Sequence, residues 1–214
     1  MKKALEAYWG DKISAEELLK VAKEQRLNTY ATIKEQGVDF VPTGTFSLYD
    51  HVLDMSNTLG IIPEAYATSG LSQLDTYFAM ARGHQKGGVD LPATEMKKWF
   101  DSNYHYLVPE FSEKSEFKLN DNKPVDDFIE AKEAGYNARP VILGPLTLLW
   151  LGKTSKDAQD PNFNRYSLLP KLAQTYVQLF EKLAAAGAPW VQLDEPILVV
   201  DTAKQLSNEF KQTY

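Results

Sequence analysis

The sequence predicts an α/β fold, an incomplete (β/α)8 barrel of the TIM type. Three observations lead there. First, Trp190-Val-Gln-Leu-Asp194-Glu195-Pro196 is an apolar run ending in two carboxylates and a proline, and it follows a long helical segment, Arg165 to Gly187, that closes on glycine. Helix, short turn, buried strand and strand-end acids form one unit of a β/α barrel, in which the strand C-termini carry the chemistry. Second, strand-like stretches near 38–43, 105–109, 140–144 and 190–194 are each followed by helical sequence, which implies a parallel sheet. Third, 214 residues fall short of the roughly 250 of a complete barrel. Four strands do not close a barrel. An open doubly wound sheet is the alternative, although no Gly-x-Gly-x-x-Gly turn follows any strand.

The elements follow in order. Residues 1–10 read as the tail of a helix with no visible cap, Leu5, Tyr8 and Trp9 on one side and Gly10 at its end. Ser14-Ala-Glu-Glu17 is a capping box that opens a helix to Gly37. Val38 to Gly44 reads as a short strand. Ser47 is placed to cap a helix through Val52, Leu53 and Leu59, and 71–83 is helical with Gly83 as its stop. His84 to Pro92 reads as a Gly-rich loop, Thr94 to Ser102 as a helix, and Tyr104 to Glu110 as a strand that ends in a carboxylate. A polar loop, 111–123, leads into a helix over 124–135 with proline in its first turn and glycine past its end. Arg139 to Leu143 is a buried strand stopped by Gly144-Pro145, and 153–164 is a polar loop. Over 165–187, Leu168, Leu172, Tyr176, Leu179 and Leu183 repeat at helical steps, and 202–214 reads as a final helix.

Composition excludes several classes. The chain is 43% hydrophobic and 24% charged, with net charge -6 and both signs interspersed. That is ordinary for a globular domain and offers no basic surface for nucleic acid. It has no cysteine, which excludes disulfides, thiol catalysis and cysteine-ligated zinc within the chain and fits a reducing cytoplasm. No apolar run reaches the roughly 18 residues of a membrane span, and the basic N-terminus is followed by no signal core.

The candidate site residues are strand-end acids. Asp194 and Glu195 are adjacent, so at most one faces a barrel axis unless Pro196 breaks the strand. They suit ligand binding or acid–base work, or simply a solvated strand end. Glu110, after Pro109, is placed to join them in an acidic mouth, and a facing carboxylate pair at roughly 5–10 Å would suit glycoside hydrolysis. The histidines, His51, His84 and His105, lack metal-ligand spacing and read as structural or surface residues. Met96-Lys97-Lys98-Trp99-Phe100 sets two lysines beside two aromatics, either an anion site or an amphipathic helix.

Several of these segments are recognisable together. Phe46-Ser-Leu-Tyr49-Asp50-His51-Val, Glu95-Met96-Lys-Lys98-Trp99-Phe100-x-x-Asn103-Tyr104-His105-Tyr106-x-Val108-Pro109-Glu110, Gly144-Pro145-Leu-Thr147 and Gln192-Leu-Asp194-Glu195-Pro196 occur in the order seen in cobalamin-independent methionine synthases, and the chain resembles that family over essentially its whole length. The Met96-to-Glu110 block is the specific part. The resemblance implies two facing β/α barrels, of which residues 1–214 would be part of the N-terminal one, lacking the first and last strands. It implies transfer of a methyl group from 5-methyltetrahydropteroyltriglutamate to homocysteine, with the C-terminal barrel as partner. The zinc ion and its ligands would lie outside this chain, with no metal and no catalytic residue within it. Lys98 matches a lysine that contacts the folate, and Lys2 matches the lysine of an Arg-Glu-Leu-Lys stretch whose arginine is absent here. Thr45 departs from the family's usual aspartate. Asp194-Glu195 is the N-terminal copy of a motif that serves the substrate site in the other barrel, and here it is either functional or a relic of duplication. The resemblance also leads us to expect that this part alone is inactive. The alternative is a non-enzymatic piece that associates with a partner chain.

Overall fold

A computed structural model describes residues 1–214. Its helices are α1 (Lys2–Trp9), α2 (Ala15–Glu35), α3 (His51–Thr58), α4 (Glu64–Ala67), α5 (Gln73–Arg82), α6 (Lys123–Glu133), α7 (Pro145–Leu151), α8 (Leu169–Ala185) and α9 (Ser207–Thr213). Its strands are β1 (Val41–Thr43), β2 (His84–Lys86), β3 (Val89–Leu91), β4 (Met96–Lys98), β5 (His105–Leu107), β6 (Glu110–Phe111), β7 (Ala138–Leu143), β8 (Lys153–Thr154) and β9 (Gln192–Asp194). No helix is long and apolar enough to cross a membrane.

The α/β class stands, and its centre is a parallel sheet in the order β1-β7-β9. The sheet is open, with no closed barrel. Its long connections carry helices that cover it: α2 leads into β1, α6 into β7 and α8 into β9. The main core lies between sheet and helices, where Val41, Ile142, Leu146, Leu172, Leu179 and Leu183 are buried. The α8 repeat supplies three of these, and Tyr176 in the same stripe donates its hydroxyl to the Leu143 carbonyl at 2.7 Å, which ties helix to strand. A second core gathers Leu18, Leu53, Phe78, Met80 and Leu107 around α5.

Local signals placed several boundaries correctly. Ser14 Oγ accepts from the Glu17 amide at 3.1 Å while Ser14 N–H donates to Glu17 Oε2 at 2.7 Å. Helix α1 has Met1 at its N-cap position with no side-chain cap, and Pro124 sits in the first turn of α6.

The differences come from pairing that local sequence does not encode. The segment read as a helix over 94–102 is strand β4, antiparallel to β5. The strand expected at 105–109 therefore belongs to a hairpin, and the central parallel sheet has three strands, not four. Strong cross-strand bonds, such as Trp99 N–H to the Tyr104 carbonyl at 2.7 Å, outweigh a helical reading that had no cap to support it. The Gly-rich loop 84–92 is a second hairpin. Gly87 and Gly88 form its two-residue turn, and both have positive φ, as a type I′ turn requires. Asp50, not Ser47, caps α3. Gly144-Pro145 stops β7 and also opens α7, with proline in the first turn. The polar loop at 153–164 begins with β8, which pairs parallel to β6. The helices predicted at 165–187 and 202–214 each open with a 3-10 turn, Arg165–Leu168 and Asp201–Leu206.

Candidate functional site

The C-terminal ends of the three parallel strands deliver Gly44, Leu143 and Asp194 to one cleft of about 860 Å³. The start of α3, through His51 and Asp54, forms a wall, and Trp99 and Tyr104 of the β4–β5 hairpin form another. Asp194 is exposed there, and its Oδ1 accepts from the Gln192 amide group at 2.7 Å.

Glu195 lines the same cleft with a different environment. Its Oε1 accepts from the Leu146 N–H at 3.0 Å and the Tyr214 hydroxyl at 2.7 Å. Its Oε2 accepts from the Thr147 N–H at 2.7 Å and from the Thr147 hydroxyl. The carboxylate thus caps α7 from a distant strand, which satisfies amides that the helix leaves free. This arrangement needs Gly144, since a Cβ there would overlap the Glu195 carboxyl group. Glu110 is elsewhere. It lies 3.0 Å from Lys153 Nζ in a separate cleft of about 300 Å³. The structure brings Asp194 and Glu195 together but leaves Glu110 out of their cleft, so no three-acid mouth forms.

Beneath this cleft lies a charged network that only the motif Tyr49-Asp50-His51 hinted at in the sequence. Asp50 is 1% exposed, and its carboxylate accepts from the N–H groups of Val52 (3.2 Å), Leu53 (2.9 Å) and Leu107 (3.0 Å). Burial raises its pKa, against the pull of these donors and of His51. The His51 ring meets Trp99 edge-on at 4.4 Å and stacks on Tyr104 at 5.8 Å. Burial lowers its pKa in spite of Asp50, Asp54 and Asp194. Burial also raises the pKa of Asp54, whose Oδ1 accepts from the Tyr77 hydroxyl at 2.7 Å. Lys123 Nζ donates to the Phe46 carbonyl at 2.8 Å and to Asp127 at 2.7 Å, and lies 3.5 Å from Asp54. Burial alone would lower the lysine's pKa, but Asp54 and Asp127 reverse the shift and raise it. These residues brace the loop after β1; apart from the local contacts of Asp50 with Val52 and Leu53 and of Lys123 with Asp127, their partners are far apart in sequence, so spacing gave no signal for the network.

The cationic residues gather across the hairpin. Lys98, exposed on β4, lines a cleft of about 670 Å³ with Lys97, Lys153 and Arg165. Phe100, at φ 50°, forms the turn of the hairpin and stacks on Trp150 of α7 at 5.4 Å and 19°. Lys2 is exposed on α1, 3.8 Å from Glu6, and lines neither this cleft nor the strand-end cleft. No group of three or more His, Asp or Glu side chains is arranged to hold a metal ion.

Comparison with known proteins places these features in context. The family model for the N-terminal domain of cobalamin-independent synthases matches residues 1–214. A probable 5-methyltetrahydropteroyltriglutamate–homocysteine methyltransferase of Schizosaccharomyces pombe is 50% identical over 220 residues, with all of this chain and 28% of the relative covered. The enzyme of that name from Saccharomyces cerevisiae is 48% identical over 220 residues, again covering all of this chain and 28% of the relative. The one from Chelativorans is 48% identical over 224 residues with the same coverage. The chain therefore spans about 28% of the length of these curated relatives.

Proposed function

The chain belongs to the cobalamin-independent methionine synthase family, matching its N-terminal domain, and from that premise we propose that it is the folate-binding part of a methyltransferase that makes methionine from homocysteine and 5-methyltetrahydropteroyltriglutamate. In this reading the open sheet is part of a (β/α)8 barrel, and a C-terminal barrel completes the active site in the cytoplasm. Zinc would keep the homocysteine thiol deprotonated. By the family resemblance, its ligands would come from that second barrel. No chemical step is assigned to residues of this chain. Their contribution is to bind and orient the glutamate tail.

The observation that carries the proposal is Lys98. By the resemblance it corresponds to a folate-contacting lysine of the family; in this chain it forms no ion pair and stands exposed in a cleft rich in cations. Lys2, solvated on α1, would contribute less. Lys98→Ala is expected to weaken binding of a pteroyltriglutamate about tenfold, the usual scale for one charge-assisted contact. It should leave the pteroylmonoglutamate nearly unaffected, as read by titrating tryptophan fluorescence. Equal losses for both ligands would remove the tail from the proposal. The purified 214-residue chain, given zinc and both substrates, is expected to form no methionine. Measurable product would overturn the assignment of catalysis to the other barrel.

A second reading, a non-enzymatic chain that associates with a partner, draws on one feature. Strands β1 and β9 are both unpaired on their outer sides, and open edges recruit other strands. A monomer in sedimentation at high concentration, with a single sharp melting transition, would count against it.

A further inference from the structure

We infer that Arg165 is the second cation of the Lys98 site, so that the cleft grips an anionic chain from two walls. This rests on the folate-tail reading above and adds a residue that the resemblance does not supply. Four cations line the cleft, but two of them are already neutralised. Lys97 Nζ lies 3.4 Å from Glu95, and Lys153 Nζ lies 2.7 Å from Glu95 and 3.0 Å from Glu110. Lys98 and Arg165 have no carboxylate partner, although Asp101 also lines the cleft. They come from different elements, Lys98 from the hairpin and Arg165 from the 3-10 turn ahead of α8.

The two groups differ in a useful way. The Arg165 Nε donates to the Leu149 carbonyl at 3.0 Å, which fixes the guanidinium plane and leaves both terminal nitrogens without a hydrogen-bond partner. An arginine held in this way presents a preset fork to a carboxylate, whereas Lys98 is a mobile point charge. Phe100, Trp150 and Tyr106 line the same cleft and offer aromatic surface along which a ligand's methylene groups can pass. The Phe100–Trp150 stack joins the hairpin tip to α7 and thereby holds the two walls in register. The left-handed backbone of Phe100 costs energy for a bulky residue, and such strain clusters at ligand sites. A chain bearing several carboxylates, such as a γ-linked oligoglutamate, can satisfy both cations at once. The monoglutamate carries two carboxylates close to the pteroyl group, whereas the triglutamate spreads four along its length and so reaches both cations from more placements.

The test uses the 214-residue chain, with a pteroyltriglutamate and its monoglutamate counterpart as probes. Arg165→Gln removes the charge and keeps a donor for the Leu149 carbonyl, so its melting temperature should match that of the parent. It is expected to weaken the triglutamate about tenfold and the monoglutamate less than about twofold, with Arg165→Lys in between. If Lys98→Ala erases the preference for the longer tail while Arg165→Gln preserves it, the two-walled grip is wrong and the folate-tail reading stands. If neither substitution changes that preference, or the parent chain has none, both fall.

Discussion

Asp50→Ala is expected to lower the unfolding free energy by about 3 kcal/mol, the sum of a lost helix cap and a stranded buried amide. One carboxylate serves three backbone donors from two elements: Val52 and Leu53 at the start of α3, and Leu107 in β5. Alanine leaves all three without partners at a site that water does not reach, since Asp50 is 1% exposed. Against the roughly 5–15 kcal/mol that holds an ordinary domain together, this is a large fraction. A urea titration gives the magnitude, and hydrogen exchange at the Leu107 amide shows whether the hairpin has come loose from α3. A loss below about 1 kcal/mol with Leu107 still protected would mean that the carboxylate does not hold these elements together.

Gly144→Ala is expected to cost about 2–3 kcal/mol on its own and less than about 1 kcal/mol when Glu195 is also alanine. Gly144 has φ -74° and ψ 155°, a conformation open to any residue. The need for glycine is therefore one of space. The added methyl would occupy the position of the Glu195 carboxylate and push it away from the first turn of α7, with loss of its bonds to Leu146 and Thr147. Once Glu195 is gone the methyl meets no obstacle from it. Comparing both single variants with the double variant by thermal melting isolates this coupling. Additive costs would show that the glycine serves some other purpose.

The parts of this fold that were legible in sequence are those held by local chemistry. Ser14 and Glu17 announced α2 because a capping box closes within three residues. The leucine stripe of α8 was readable because one face of one helix supplies it. The parallel strands ending at Thr43, Leu143 and Asp194 were visible as apolar runs with breaks after them. Local reading failed where a partner from elsewhere decides the structure. Met96–Lys98 has a pattern that suits helix or strand, and only pairing with 105–107 selects the strand. Glu195 looked like half of an acid pair because its donors lie 48 and 49 residues away, on α7. Separation in sequence likewise hid Arg165, which nothing in its neighbourhood links to Lys98. Lys98 itself emerged from the resemblance, not from spacing.

The β4–β5 hairpin is a partition between two rooms. Trp99 and Tyr104 furnish the strand-end side, while Lys98, Phe100 and Tyr106 furnish the cationic side. The wall is two strands wide and a single layer thick, pinned at Leu107 by Asp50 and at its tip by Trp150. Held at both ends, the wall turns a different set of side chains to each space, so a substitution at Trp99 reshapes the strand-end side and one at Lys98 changes the charge of the other.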